Sequence, residues 1–536
     1  MLELSRLEQT STLSFDELIE QVVEKSKEIK EKPLDYAIVE QVEDHLERLV
    51  KAYKTLSRSS EKKRIAASGV EWFLDNFHVI QEAVELIQDD LPEDYFQKLP
   101  AINGQENIPR VYYLAQEMVA YYKIELVQND VQEFLNAYQG HISLKMSELW
   151  AFPLMLILHL VKILSRIIFE LSEDQSAREK SKTSSLQIDP NEVVARALRT
   201  LLLLDRIDWK TFFEAHSQVE EILSKDPIDV YRKMNFETRD QYRKKVEALS
   251  EHTSLEEIEI AKAAVDLAEN PQDLGNKARH IGYYLIGDGK EQLKRKIDFQ
   301  YPLAEKINRF FFEHNTAAYL ASIFTITTLV MIGLIYLSRT LTDQVWLNIL
   351  IGLLSFLPAS SVAVNLVNAV LTSTLPPQIL PKMNFKKGVP RQFRTMVVIP
   401  ALLTDQEEIT FLLNQLELHY LANKDQNIGF ALLSDFSDAP QKTMPEDEML
   451  LKITIDGINR LNERYQGDHG RQAFYLFHRR RQWNAHEGAW IGWERKRGKL
   501  GDLNRYLMEG YEKSFDKILG DVSFLDQVKF VITVDS

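Results

Sequence analysis

The chain has 536 residues, of which 45% are apolar and 27% charged, and a formal net charge of −15. Its length implies two to four domains with cores of their own, and its composition excludes wholesale disorder. An overall anion repels a polyanion, which excludes nucleic acid as the main partner. Cysteine is absent, removing disulfides, thiolate nucleophiles and Cys-ligated zinc together. The opening MLELSRLEQTSTLSFDELIEQ lacks a basic stretch followed by an apolar one. No cleaved secretory signal is expected, and the N-terminus is expected to stay in the cytoplasm.

Residues 1–315 form the first predicted domain, all helical and cytoplasmic. From Val70, the residues Phe73, Leu74, Phe77, Ile80, Val84 and Ile87 recur at helical spacing, predicting one helix that Pro92 ends. Asp189-Pro190-Asn191-Glu192 has the pattern of a capping box with proline at the first helical position, and Ser254-Leu255-Glu256-Glu257 repeats the cap. This region offers no metal or nucleophile constellation, and its Met and aromatic residues are expected in the core. The apolar stretch AFPLMLILHLV at 151–161 stops at Lys162, well short of the roughly 20 residues a bilayer crossing needs. It predicts a buried core helix.

Residues 316–381 form a predicted transmembrane hairpin. Residues 317–337 carry no charge, and a second uncharged run extends from Val345 to Pro381. Spans are predicted at about 317–337 and 345–364. Asn365 and Asn368 are expected to end the second span and begin an interfacial helix. Lys306 and Arg309 precede the hairpin, while Lys382, Lys386, Lys387, Arg391 and Arg394 follow it. That flanking charge puts both ends, and the domains attached to them, in the cytoplasm.

Residues 382–536 alternate short apolar runs with amphipathic ones. Strands are predicted at 394–401, 428–435, 473–478 and 529–535, with helices at 405–421, 447–465 and 502–515. The order implies a mostly parallel sheet with helices on both faces. Ligands of such sheets bind beyond the carboxyl ends of the strands. There the sequence puts Pro400-Ala401, then Ser434-Asp435, then His478-Arg479-Arg480-Arg481, and finally Asp535. A carboxylate at Asp435 suits the edge of a base or sugar, and arginines suit a diphosphate. Asp535 suits a divalent cation bridging the same phosphates. Trp483, Trp490 and Trp493 suit sugar stacking. Together they describe a nucleotide-sugar site with a metal-assisted leaving group. His486-Glu487 does not start a zinc HExxH motif, because Trp490 stands at the second His position. Gly498-Lys499 lacks the rest of a Walker loop.

The stretch FHRRRQWNAHEGAWIGWERKRGKL at 477–500 resembles the signature of cyclic β-1,2-glucan synthases. The match takes in Arg481, Trp483-Asn484, Glu487-Gly488, Trp490, Gly492-Trp493, Arg495, Arg497 and Lys499, and continues past the stretch to Leu503-Asn504. GVEWFLDNFHVI, LPEDYFQKLP, IPRVYYLA and ELWAFPLML are similar to the amino-terminal domain of the same family. The resemblance implies a bacterial inner-membrane enzyme with a GT-A-type transferase domain. Such an enzyme uses UDP-glucose and a divalent metal, Mg²⁺ or Mn²⁺, to extend a growing β-1,2-glucan that it primes on itself and cyclises. It further implies that Pro400, Ala401, Asp435, Arg481, Trp483, Glu487, Trp490, Trp493, Arg495, Arg497, Lys499 and Asn504 meet the donor. Asp435 would lie in the uridine pocket, and Asp535 would be the first carboxylate of a DxD-type metal motif. Its second carboxylate and the general base are expected beyond Ser536, so the 536-residue chain alone is expected to be inactive. The alternatives are a membrane-anchored scaffold that keeps the cleft without catalysis, and a glycoside phosphorylase or hydrolase. The latter would need paired carboxylates that the sequence does not offer.

Overall fold

The computed structural model describes residues 10, 12–27, 29–30, 34, 36–58, 68–102, 108–172, 189–271, 275–302, 314–341, 344–375, 380–466 and 471–535. The chain divides into two compact units, Met1–Lys382 and Met383–Ser536.

In the first unit we label the helices α1 (Ala37–Ser57), α2 (Phe77–Asp90), α3 (Arg110–Tyr121), α4 (Met146–Ser172), α5 (Pro190–Arg206) and α6 (Phe236–Ser250). The helix expected from Val70 onward is in fact two, Ser68–Asp75 and α2, broken at Asn76. Asn76 gives both its backbone N–H and its side-chain amide to the Trp72 carbonyl, a local bond that competes with helix continuation. Asp189 caps α5 through the Asn191 N–H, with Pro190 in the first turn. Glu192, expected to complete a capping box, instead pairs with Arg196 at 2.9 Å. The predicted cap at Ser254 also moves. Glu256 is the cap of Glu257–Glu269, and the Glu259 carboxylate accepts its backbone N–H at 3.0 Å.

Helix α4 extends the predicted 151–161 core segment in both directions. It is long and apolar enough to cross a membrane, yet 83% of its apolar window is buried inside the protein. α1, α2, α3 and α5 pack around it. Its one buried acid, Glu148, is matched by Arg110, whose Nε donates at 2.7 Å. A buried carboxylate persists only with such a partner.

Two further helices differ in kind. α7 (Asn315–Leu341) and α8 (Val345–Thr374) are also long and apolar enough to cross a membrane, but only 6% and 22% of their windows are buried. They pair antiparallel, with Tyr319 donating to Asn368 and Ser338 to Asn348. α8 runs unbroken to Thr374, so the residues after Val364, expected as a separate interfacial helix, continue the same helix.

The second unit has strands β1 (Thr395–Leu403), β2 (Ile428–Phe436), β3 (Phe474–Arg479), β4 (Gln482–Asn484), β5 (Ala489–Ile491), β6 (Phe515–Leu519) and β7 (Phe530–Thr533). Its principal helices are α9 (Gln406–Ala422), α10 (Asp447–Arg464) and α11 (Arg495–Glu509). The main sheet has the order β6-β3-β2-β1-β7, with β6 alone antiparallel. The mostly parallel sheet is as expected. Ile399, Leu432 and Leu476 pack under α9 and α10, while Val398, Leu433 and Phe477 pack under α11. β6 and the β4–β5 hairpin were not foreseen, and the last helix starts seven residues earlier than the predicted Asp502.

Leu432 is fully buried at the centre of this sheet. Leu432→Ala should cost about 2–5 kcal/mol in denaturant unfolding. A loss under 1 kcal/mol would show that the sheet centre does not set the stability of this unit.

Candidate functional site

Parallel pairing fixes what meets at the carboxyl edge of the sheet. Ala401 lies opposite Ser434, Leu402 opposite Asp435, and Ser434 opposite His478. Side chains alternate between faces along a strand. Asp435 and Arg479 therefore project toward α11, and Ser434 and His478 toward α10.

On the α11 side lies a buried ion cluster. Arg479 grips Asp435 with two bonds, Nε to Oδ1 at 2.8 Å and Nη2 to Oδ2 at 2.9 Å. Its Nη1 donates to Asp502 at 2.7 Å. Lys499 Nζ lies 3.1 Å from Asp435 Oδ2 and donates to the Ala401 carbonyl at 2.6 Å. All four charged residues are buried, two cations against two carboxylates, and exposed Arg505 adds a further pair on Asp502 Oδ1. Burial opposes the Arg479 charge, but bonding to Asp435 and Asp502 prevails and raises its pKa. For Lys499 burial prevails over the pull of Asp435 and lowers it.

The segment entering α11 is shaped around this cluster. A Cβ on Gly492 would lie 2.5 Å from Asp435 Oδ2, and one on Gly498 would strike the Trp493 carbonyl. Between them, Glu494 and Arg495 both take left-handed backbone angles, with φ of 50° and 46°. Such angles cost non-glycine residues about 1–3 kcal/mol each. The reversal carries the Trp493 carbonyl to Arg479 Nη2 at 3.1 Å.

The expected donor-binding residues fall into three settings. Ala401, Asp435 and Lys499 meet in the buried cluster, next to Pro400 on β1. Trp483, Glu487, Trp490, Trp493, Arg495, Arg497 and Asn504 lie on or beside the outer rim. Trp483 and Trp490 face each other across the β4–β5 hairpin, centroids 5.9 Å apart, and backbone bonds between Trp490 and Ala439 hold the hairpin to the edge. Trp483 and Trp493 are half exposed. Arg495 pairs with Asp438 at 3.0 Å and lies 3.6 Å from Glu487, while Arg497 and Asn504 point into solvent. Arg481 stands apart. It is buried, clamped on both oxygens of Asp447, and donates to the Ser437 carbonyl. It straps the loop after β2 to α10.

Asp535 is exposed beyond β7 and pairs with Lys496. Among the described residues no group of three or more His, Asp or Glu could hold a metal. A lone carboxylate still fits a Mg²⁺-type ion whose other ligands are phosphate oxygens and water.

Asp502 was not among the expected site residues, and Arg479, expected with its neighbouring arginines to suit a diphosphate, instead spends its guanidinium on Asp435 and Asp502. Strand alternation carried the signal for Arg479, which falls on the Asp435 face one position after His478. Asp502 carried none, because the start of α11 was misplaced.

No family model matches the chain. It is 27% identical, over 564 aligned residues and 91% of its own length, to the cyclic beta-(1,2)-glucan synthase NdvB of Rhizobium meliloti (strain 1021). It spans 20% of that protein, about a fifth of its length. The similarity agrees with the resemblance carried by residues 477–504 and supports membership of that family.

Removing Arg479 would strand Asp435, so Arg479→Met should cost about 3–5 kcal/mol. Exposed Arg497→Ala should change stability by less than about 0.5 kcal/mol. Urea unfolding of the two variants checks the contrast, and equal losses would refute it. On the opposite face, burial pushes the His478 imidazole down to about 4. Its Nδ1 faces the Ser434 hydroxyl at 2.9 Å. The folded state keeps this ring neutral, while the unfolded chain takes up a proton below about pH 6.5. Stability should therefore fall as pH drops from about 6.5 to about 4, by about 3 kcal/mol in all. His478→Gln should flatten that part of the profile, and an unchanged slope would assign it to other groups.

Proposed function

On the premise of that family relationship, we propose that the chain forms part of a membrane-bound glycosyltransferase that builds β-1,2-glucan from UDP-glucose. The observation that carries this reading is the convergence of Asp435, Lys499 and the basic 495–499 segment on the carboxyl edge of the parallel sheet. Open α/β sheets bind ligands at this edge, and the chemistry matches the parts of a nucleotide sugar. Asp435 is buried under Arg479 and Lys499, and its part in this reading is to hold the segment that faces the nucleoside in shape. Arg495 and Arg497 supply exposed guanidinium groups for the diphosphate. The tryptophans of the hairpin and Trp493 offer apolar surface to the sugar.

A divalent metal held by Asp535 together with donor phosphates would stabilise the negative charge that develops on departing UDP. Lys496, the present partner of Asp535, is placed to neutralise that carboxylate when no cation does. The α7–α8 pair supports a membrane anchor. Its exposed Phe324, Leu353 and Leu357 are far more apolar surface than water-facing helices carry. Both attached domains would face the cytoplasm, where UDP-glucose is made. Self-priming on the enzyme and cyclisation of the product belong to this proposal as family properties.

The test is donor binding by the full chain in detergent or nanodiscs. Calorimetric titration with UDP-glucose in the presence of Mn²⁺ should saturate, and Arg497→Ala should weaken it about tenfold. Wild-type affinity in that variant would remove Arg497 from the site. Asp535→Asn should abolish the Mn²⁺ dependence of binding. Absence of any saturable UDP-glucose binding would leave the scaffold alternative.

A further inference from the structure

We propose that the helical unit carries a second, separate site, a groove that binds a neutral glucan chain. The groove encloses about 1210 Å³ among α2, α4, α5 and α6, larger than a typical small-ligand pocket of about 300–1,000 Å³. Its floor is apolar, with Val79 from α2, Pro153, Leu154 and Ile157 from α4, and Leu201 and Leu204 from α5. Four partly exposed aromatic residues also line it: Tyr95, Trp150, Trp209 and Phe236. Trp150 is fixed by stacking on Phe213 at 4.5 Å and by edge contact with Phe236 at 6.0 Å.

The polar lining is one-sided. Glu82, Asp89, Asp90, Asp94 and Asp205 line the groove, are exposed, and form no ion pair among the described residues. The lining cations are already engaged: Lys98 with Glu251 at 2.9 Å, Lys244 with Asp240 at 3.0 Å, and Arg243 with Glu220 at 2.6 Å. The groove therefore offers apolar surface and hydrogen-bond acceptors, with no free Lys or Arg. A phosphate-bearing donor is repelled there. Pyranose rings suit it, because their hydroxyls donate to carboxylates while their C–H faces lie against aromatic and aliphatic side chains. This inference rests on the glucan reading above for the identity of the sugar, and it assigns the helical unit a place to hold product or acceptor.

Linear β-1,2-gluco-oligosaccharides titrated into the full chain in nanodiscs, followed by calorimetry and tryptophan fluorescence, test the groove. Saturable binding is expected, little changed by NaCl because the ligand is neutral. The double substitution Asp89→Ala with Asp205→Ala, both at exposed positions, should weaken it about tenfold, as should Trp150→Leu. Three results would overturn the proposal: no saturable binding, wild-type affinity in the rim variant, or salt-sensitive capture of a basic amphipathic peptide in place of the sugar. UDP-glucose titrated into the same preparation separates the two readings. Donor binding without oligosaccharide binding defeats the groove alone. Oligosaccharide binding without donor binding supports the groove and defeats the glycosyltransferase reading.

Discussion

The buried grip of Arg479 on Asp435 is the interaction on which the carboxyl edge of the sheet depends. One guanidinium joins two strands, reaches Asp502 on α11, and takes the carbonyl of Trp493. Isolated, each of these charges would be costly to bury. Together with Lys499 they form a set in which each charge has an opposite neighbour. The shape of the following segment follows from that set. Gly492 leaves room for the Asp435 carboxylate, and the left-handed pair at Glu494 and Arg495 turns the chain so that Lys499 returns to the same oxygen. Strain in the turn is offset by the bonds it makes possible.

The sequence disclosed the parallel sheet because each buried strand is a short apolar run ending in polar residues. Strand placement held to within about two residues at β1, β2 and β3. What stayed hidden was structure written in few residues or without period. β6 reads FDKIL, neither apolar nor cleanly alternating, and it pairs antiparallel at the edge. The β4–β5 hairpin has strands of three residues each, too short to show alternation. The start of α11 is basic and lacks a capping side chain, so the usual signal of a helix start was missing. Arg481 shows the limit of motif reasoning. A basic residue inside a recognisable signature was expected at the donor, yet its charge is spent on Asp447.

Apolarity alone did not distinguish the three long helices. α4, α7 and α8 all have enough apolar length to cross a bilayer. Length between charges separated them in the sequence: α4 runs 13 residues from Leu149 to Val161 before Lys162, while α7 runs 24 from Asn315 to Ser338 before Arg339. The charges of α4, including Glu148 matched by Arg110, mark a helix meant for a protein interior.

That placement of α4 has a consequence for how the chain comes into being. The helices that enclose α4 lie on both sides of it in sequence, and α5 is synthesised after it. Until α5 arrives, the emerging chain displays an apolar cylinder with one flank open, a surface prone to aggregation or to premature contact with lipid. The packing of α5 on α4 therefore ties the sheltering of this segment to residues made after it.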